Sequence, residues 1–119
     1  MAMGKKVADS SKIYKAEAPN ASNGTVWWIG GELSILTAIA IRSAGGNIVV
    51  RGTDKKENRR IAQEIEDGVG NWVLDKPHKN SAGAEALPHF HQQPNAEGKR
   101  VPPGHTFYEV DQSKAKKKP

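Results

Sequence analysis

The sequence predicts an α+β fold, with one or two helices packed on a small antiparallel β-sheet. Three observations lead there. A stretch beginning at Asp54 carries Ile61, Ile65 and Val69 at four-residue intervals, the period of a helix with one buried face. Short runs rich in β-branched and aromatic residues recur after it, each bounded by turn formers. The 12 glycines and 7 prolines, with 36% hydrophobic residues in a chain of 119, call for one domain with a modest core and many loops. One or two helices followed by three or four short strands make an α+β arrangement.

Taken in order, residues 1–23 are polar and lack apolar periodicity, so they are expected to form a flexible leader. Met1-Ala2-Met3-Gly4 resembles an expression leader on a piece of a longer protein. The run Val26–Ile41 is the most apolar part. Gly30, Gly31 and Glu32 interrupt it, leaving it short of the ~20 residues of a spanning helix, so no membrane insertion is expected. Within it, Ile35, Leu36, Ile39 and Ala40 fit helical spacing, while Leu33, Ile35, Ile39 and Ile41 fit alternation. A helix over about residues 32–43 is preferred, because Ala44-Gly45-Gly46 supplies a stop.

Asn47–Arg51 reads as a short strand between glycines. Asp54 then caps a helix, Glu57 completes a capping box, and Gly68 and Gly70 end it. Lys56, Arg59 and Arg60 point away from its apolar stripe. Asn71–Leu74 is a strand, and Asp75-Lys76-Pro77-His78 leads out of it into a loop reaching Leu87. His89–His91 is a short strand, residues 94–104 a long loop, and His105–Val110 the last strand. The globular unit is thus expected over residues 24–111, with 112–119 a basic disordered tail.

The net charge is +5 and the pI about 9.6, with Lys114, Lys116, Lys117 and Lys118 concentrating charge at one end. A polyanionic partner follows, with nucleic acid ahead of a membrane surface. The absence of cysteine excludes a disulfide scaffold, thiolate zinc sites and a cysteine nucleophile. Of the tryptophans able to stack bases, Trp27 and Trp72 sit among apolar neighbours and read as core, while Trp28 is left open.

The four histidines carry the functional signal. His78, His89, His91 and His105 share the last third of the chain with Lys79, Lys99, Arg100 and Tyr108. Imidazole titrates near neutrality, so histidines beside cations suit acid–base chemistry on an anionic substrate. His89 and His91, two apart in a strand, project to one face. His105 joins them if the last strand pairs with theirs.

One chemistry open to such a group is RNA cleavage by transphosphorylation, with no cofactor. One histidine takes the ribose 2′-OH proton, another protonates the departing 5′-oxygen, and Lys79 or Arg100 steadies the phosphate. Tyr108 is a candidate for orienting it. Lys99, Arg59 and Arg60 are further cations for substrate binding. A three-histidine metal site is the other chemistry, ranked lower because Asp75, Glu85 and Glu97 form no ligand motif.

The layout from Asn71 onward resembles the C-terminal toxin domains of bacterial polymorphic toxins of the contact-dependent inhibition and Rhs types. The residues concerned are Asp75-Lys76-Pro77-His78-Lys79, Pro88-His89-Phe90-His91, Lys99-Arg100 and Gly104-His105-Thr106-Phe107-Tyr108. It is most similar to the ribonucleases of the barnase–EndoU–colicin–RelE group, over roughly residues 47–110. That resemblance implies a barnase-like architecture and metal-free cleavage of RNA, often transfer RNA. It also implies a cognate immunity protein over the active face. Such domains are delivered as the end of a larger effector and act in the cytoplasm of the target bacterium. It carries His89, His91 and His105 over as acid–base residues, with His78 and Lys79 as a further pair. No residue matches the glutamate base of barnase-type enzymes, so base and acid stay unassigned. Two other readings compete: a metal-dependent, histidine-rich nuclease toxin, and a non-enzymatic basic module that binds nucleic acid.

Overall fold

The computed structural model describes residues 11–20, 25–75, 87–111 and 114–119. They form two helices and seven strands in the order β1 (Ser11–Asn20), β2 (Thr25–Leu33), α1 (Ile35–Ser43), β3 (Asn47–Gly52), α2 (Lys55–Val69), β4 (Trp72–Asp75), β5 (His89–Gln92), β6 (Thr106–Tyr108) and β7 (Lys116–Lys117). The strands make one sheet in the order β4-β5-β6-β3-β1-β2-β7. β3–β6 and β2–β7 are parallel, and the remaining pairs are antiparallel. The chain is therefore an α+β protein, with a sheet larger than the small one expected.

Both helices begin and end where side-chain chemistry directs. Ser34 caps α1 by accepting from the Thr37 N–H at 3.1 Å. The chain leaves that helix through Gly45, whose φ of +94° suits glycine. Asp54 caps α2 by accepting from the N–H groups of Lys56 and Glu57. The Glu57 carboxylate turns instead to Arg60, 2.7 Å away.

The two sheet faces carry separate cores. Under the helices, Ile13, Ile48, Val50, Phe90 and Tyr108 meet Ala38, Ile61, Ala62 and Ile65. On the helix-free face, Ala16, Val26, Val49 and Phe107 pack with Leu87 and Ala115. No helix among the described residues is long and apolar enough to cross a membrane.

The structure departs from expectation at both ends. Residues 11–20, assigned to a polar leader, form a strand paired on both edges, with β2 and with β3. Ile13 faces the helices and Ala16 the opposite core, so ladder hydrogen bonds and two-sided burial override a polar composition. Lys116–Lys117, assigned to a disordered tail, pair with Trp27 and Trp28 of β2, and Lys118 bridges to Glu17 at 2.8 Å. The apolar run is both of its alternatives in succession: strand through Leu33, then helix from Ile35.

A buried ionic network joins the helices to the strands that carry the histidines. Arg42 of α1 and Glu66 of α2, each fully buried, meet at 2.6 Å and again at 3.1 Å. Glu66 also accepts from Gln92 of β5 and Thr106 of β6. The Arg42 guanidinium donates further to the carbonyls of Pro103 at 2.8 Å and Gly46 at 3.2 Å, fixing the segment that leads to His105. Buried charges are tolerated when fully hydrogen-bonded in this way.

Candidate active site

His89, His91 and His105 converge on the helix-free face. In β5 the alternation sends Phe90 and Gln92 toward the helices and His89 and His91 to the other side. β5 pairs with β6 so that His89 lies opposite Phe107, and continuing this register brings His91 level with His105. The ring centroids of His89 and His105 are 4.7 Å apart, those of His91 and His105 6.1 Å, and those of His89 and His91 6.3 Å. Phe107 packs edgewise against His89 at 5.2 Å and stacks obliquely beside His105 at 5.4 Å, giving the group an apolar floor.

The three rings differ in their partners. His91 is buried, with Nε2 2.9 Å from Asp75 Oδ2 and Nδ1 2.9 Å from the Gln92 carbonyl oxygen. Both its nitrogens face acceptors, so both donate only when the ring carries two protons. His89 places Nδ1 3.2 Å from the Leu87 carbonyl and Nε2 3.7 Å from the same Asp75 oxygen. His105 faces Arg100, whose Nη1 lies 3.4 Å from His105 Nε2. Since guanidinium only donates, that nitrogen of His105 is the acceptor and the ring is neutral.

Burial, reinforced by His89, Arg100, His91 and Arg42, lowers the pKa of His105 from 6.5 to about 4. The unfolded chain therefore takes up this proton first as pH falls. The contribution of His105 to stability is complete above about pH 6.5 and is lost as pH falls toward 4. His105→Ala is expected to flatten the acid side of the stability–pH curve in that window, measured by urea unfolding at a series of pH values.

The backbone holds His105 in place. Its N–H donates to Asn47 Oδ1 at 2.8 Å and its carbonyl accepts from Ile48 N at 3.0 Å. Gly104 before it has φ +101°, and a Cβ there would stand 2.7 Å from the Gly46 carbonyl oxygen and 2.9 Å from Arg42 Nη1. Gly104→Ala is expected to cost at least ~1–3 kcal/mol from the strained backbone alone. Thermal unfolding checks this, and activity is expected to fall with it as His105 shifts.

Not every expected residue joins the group. Tyr108 lies on the opposite face, buried with Phe90 under the helices, because it is three residues from His105 along an alternating strand. Burial raises its pKa, partly offset by Arg59. Arg59 and Arg60 belong to α2 on that helix side too, and Arg60 is held by Glu57 and Glu64. Lys99 sits in the exposed turn where Asn95 Oδ1 accepts from its N–H. Among the described residues, Arg100 alone of the expected cations stands beside a histidine. His78 and Lys79 lie outside the described residues.

Asp75 is the residue that the sequence reading left aside. It ends β4 rather than entering a loop, and β4–β5 pairing sets it opposite His89 and diagonal to His91. Its signal is an antiparallel pairing of Trp72–Asp75 with His89–Gln92, a register that no local motif in the sequence reveals. Among the described residues, no group of three or more His, Cys, Asp or Glu is arranged to hold a metal ion.

No family model matches this chain, and neither does any curated protein or solved structure. The resemblance to toxin ribonucleases stands on the sequence motifs alone.

Proposed function

We propose that the chain is a metal-independent endoribonuclease, the toxin domain of a delivered bacterial effector. The observation that carries this reading is the meeting of three imidazoles with Arg100 on the helix-free sheet face, one of the rings kept neutral. His105, deprotonated and accepting at Nε2, takes the proton of a ribose 2′-OH. The 2′-oxygen then attacks the adjacent phosphorus, and the bond from phosphorus to the 5′-oxygen breaks. His89, the ring in closest stacking contact with His105, gives its proton to that leaving oxygen. The products are a 2′,3′-cyclic phosphate and a 5′-hydroxyl. Arg100 passes from the His105 nitrogen to the phosphoryl oxygens, where negative charge grows. His91, clamped between Asp75 and the Gln92 carbonyl, is fixed in place and packs beside the other two rings.

In this reading an immunity protein covers the histidine face, and a barnase-like architecture is part of the same proposal. Expression without a protecting partner is expected to arrest bacterial growth and fragment cellular RNA. His105→Ala is expected to relieve the arrest. Abundant, folded wild-type protein that leaves growth and RNA intact would refute the toxin assignment.

Asp75→Asn tests the support beneath the rings. The variant keeps the shape but loses the charge facing His91 and His89, and is expected to lower kcat by ~10-fold or more with little change in KM. A rise in KM alone would place Asp75 in substrate binding instead.

A non-enzymatic nucleic-acid-binding module is the second reading. It is favoured by the cationic, aromatic pocket on this same face described below. Salt-dependent binding of RNA without turnover, unaffected by His91→Ala, is its signature.

A further inference from the structure

Beyond the histidines, the helix-free face holds a cavity of about 440 Å³ lined by Lys12, Tyr14, Arg51, Gly52, Thr53, Glu109 and Lys114. It combines three cations with one carboxylate and an aromatic ring. The carboxylate of Glu109 is engaged by Arg51 Nε at 3.0 Å, Gly52 N–H at 3.2 Å and Ala115 N–H at 2.8 Å. Lys12 and Lys114 are exposed and have no carboxylate partner among the described residues. Beside the cavity, the Arg51 guanidinium lies 4.7 Å over the Trp28 ring and 5.8 Å from that of Tyr14. The Tyr14 and Trp28 rings are themselves 4.8 Å apart. Lys117 Nζ approaches Trp28 from the β7 edge at 5.9 Å.

We infer that this cavity is a nucleotide subsite, taking one unpaired nucleotide of the single-stranded RNA whose scissile bond lies at the histidines. The identity of the strand rests on the ribonuclease reading; the binding itself does not. A base stacks in the Tyr14–Arg51–Trp28 assembly, since every base has a π-face and guanidinium planes stack on it as aromatic rings do. Its phosphate meets Lys12 and Lys114, which no carboxylate among the described residues pairs. A paired base presents only its edge, so a single strand is the fitting ligand.

Register supports one continuous track. Arg51 is one residue beyond Val50, which pairs with Tyr108, while His89 pairs with Phe107. Strand spacing and rise then separate Arg51 from His89 by roughly 12 Å across the same face. An extended strand of a few nucleotides covers that distance. Val49, Phe107 and Leu87 are buried in the packed core beneath that span.

The test separates binding from cleavage. A short fluorescein-labelled single-stranded oligodeoxynucleotide lacks the 2′-OH and is not cut, so its anisotropy reports affinity alone. Wild type, the double variant Lys12→Glu/Lys114→Glu and His105→Ala are titrated with it and with an abasic strand of equal length. The double variant, altered only at exposed side chains, is expected to bind at least about tenfold more weakly, and His105→Ala nearly as wild type. Wild type is expected to bind the abasic strand about tenfold more weakly. Unchanged affinity in the double variant overturns the subsite. So does equal binding of the abasic strand, which would leave only a charge effect. If the affinity losses appear but RNA is never cleaved, the subsite stands and the ribonuclease reading falls. If RNA is cleaved with unchanged KM in the double variant, the reverse holds.

Discussion

His105→Ala is expected to lower the turnover of RNA by at least ~10²-fold while leaving the protein folded, the scale of losing a general base. The ring is partly exposed and its own backbone holds the segment, through Asn47 and Ile48, so the side chain is dispensable for the fold. In the wild type, kcat/KM is expected to hold its value down through mildly acidic pH and fall only as pH approaches about 4, where the base becomes protonated. Arg100→Ala is expected to cost ~10²–10³ in kcat, as for a lost charge stabiliser. A His105→Ala variant as active as wild type would remove this ring from the chemistry, whatever the other rings do.

Arg42→Ala is expected to destabilise the fold by ~3–5 kcal/mol, because it strands the Glu66 carboxylate in the core without its cation. Against a total of ~5–15 kcal/mol, that is a large share. The Pro103 and Gly46 carbonyls lose a donor in the same stroke, which loosens the approach to His105. Urea unfolding, followed by circular dichroism, measures the loss. A change under ~1 kcal/mol would mean that water enters and solvates Glu66, and that the network does little to hold the histidine strands. His105→Ala and Arg42→Ala are thus expected to differ in kind. The first removes chemistry with the fold kept, and the second weakens the fold.

Much of the second half of the fold was legible in the sequence. The Ile61–Ile65–Val69 stripe, the Asp54 cap and the glycines after it set α2 within a residue or so of its position. The Gly45-Gly46 stop closed α1, and the short runs around Val49, Val73, Phe90 and Phe107 are all strands. Pattern failed where pairing rather than composition decides. β1 reads Lys-Ile-Tyr-Lys-Ala-Glu, with few large apolar side chains, and becomes an interior strand because β2 and β3 satisfy its backbone on both edges. β7 is lysine-rich and exposed, and β2 alone defines it.

The candidate site divides in the same way. That His89 and His91 share a face followed from strand periodicity, and the joining of His105 depended on β5 pairing with β6, which it does. Tyr108 went astray by the same periodicity, since an odd offset from His105 sends it through the sheet. Asp75 is weighed in the sequence only as a metal ligand and not as a partner of the histidines, because the strand it pairs with lies well further along the chain. The Lys12–Tyr14–Arg51–Lys114 pocket draws on β1, β3 and the segment after β6, three places that no local motif connects.

The most direct measurement is the chemistry of the ends left when purified protein cuts RNA in EDTA. Proton transfer between paired imidazoles at a ribose 2′-oxygen predicts fragments ending in 2′,3′-cyclic phosphate and beginning with a 5′-hydroxyl, released at an undiminished rate in the chelator. Fragments bearing 3′-hydroxyl and 5′-phosphate ends, or cutting that stops until a divalent ion is restored, would contradict it.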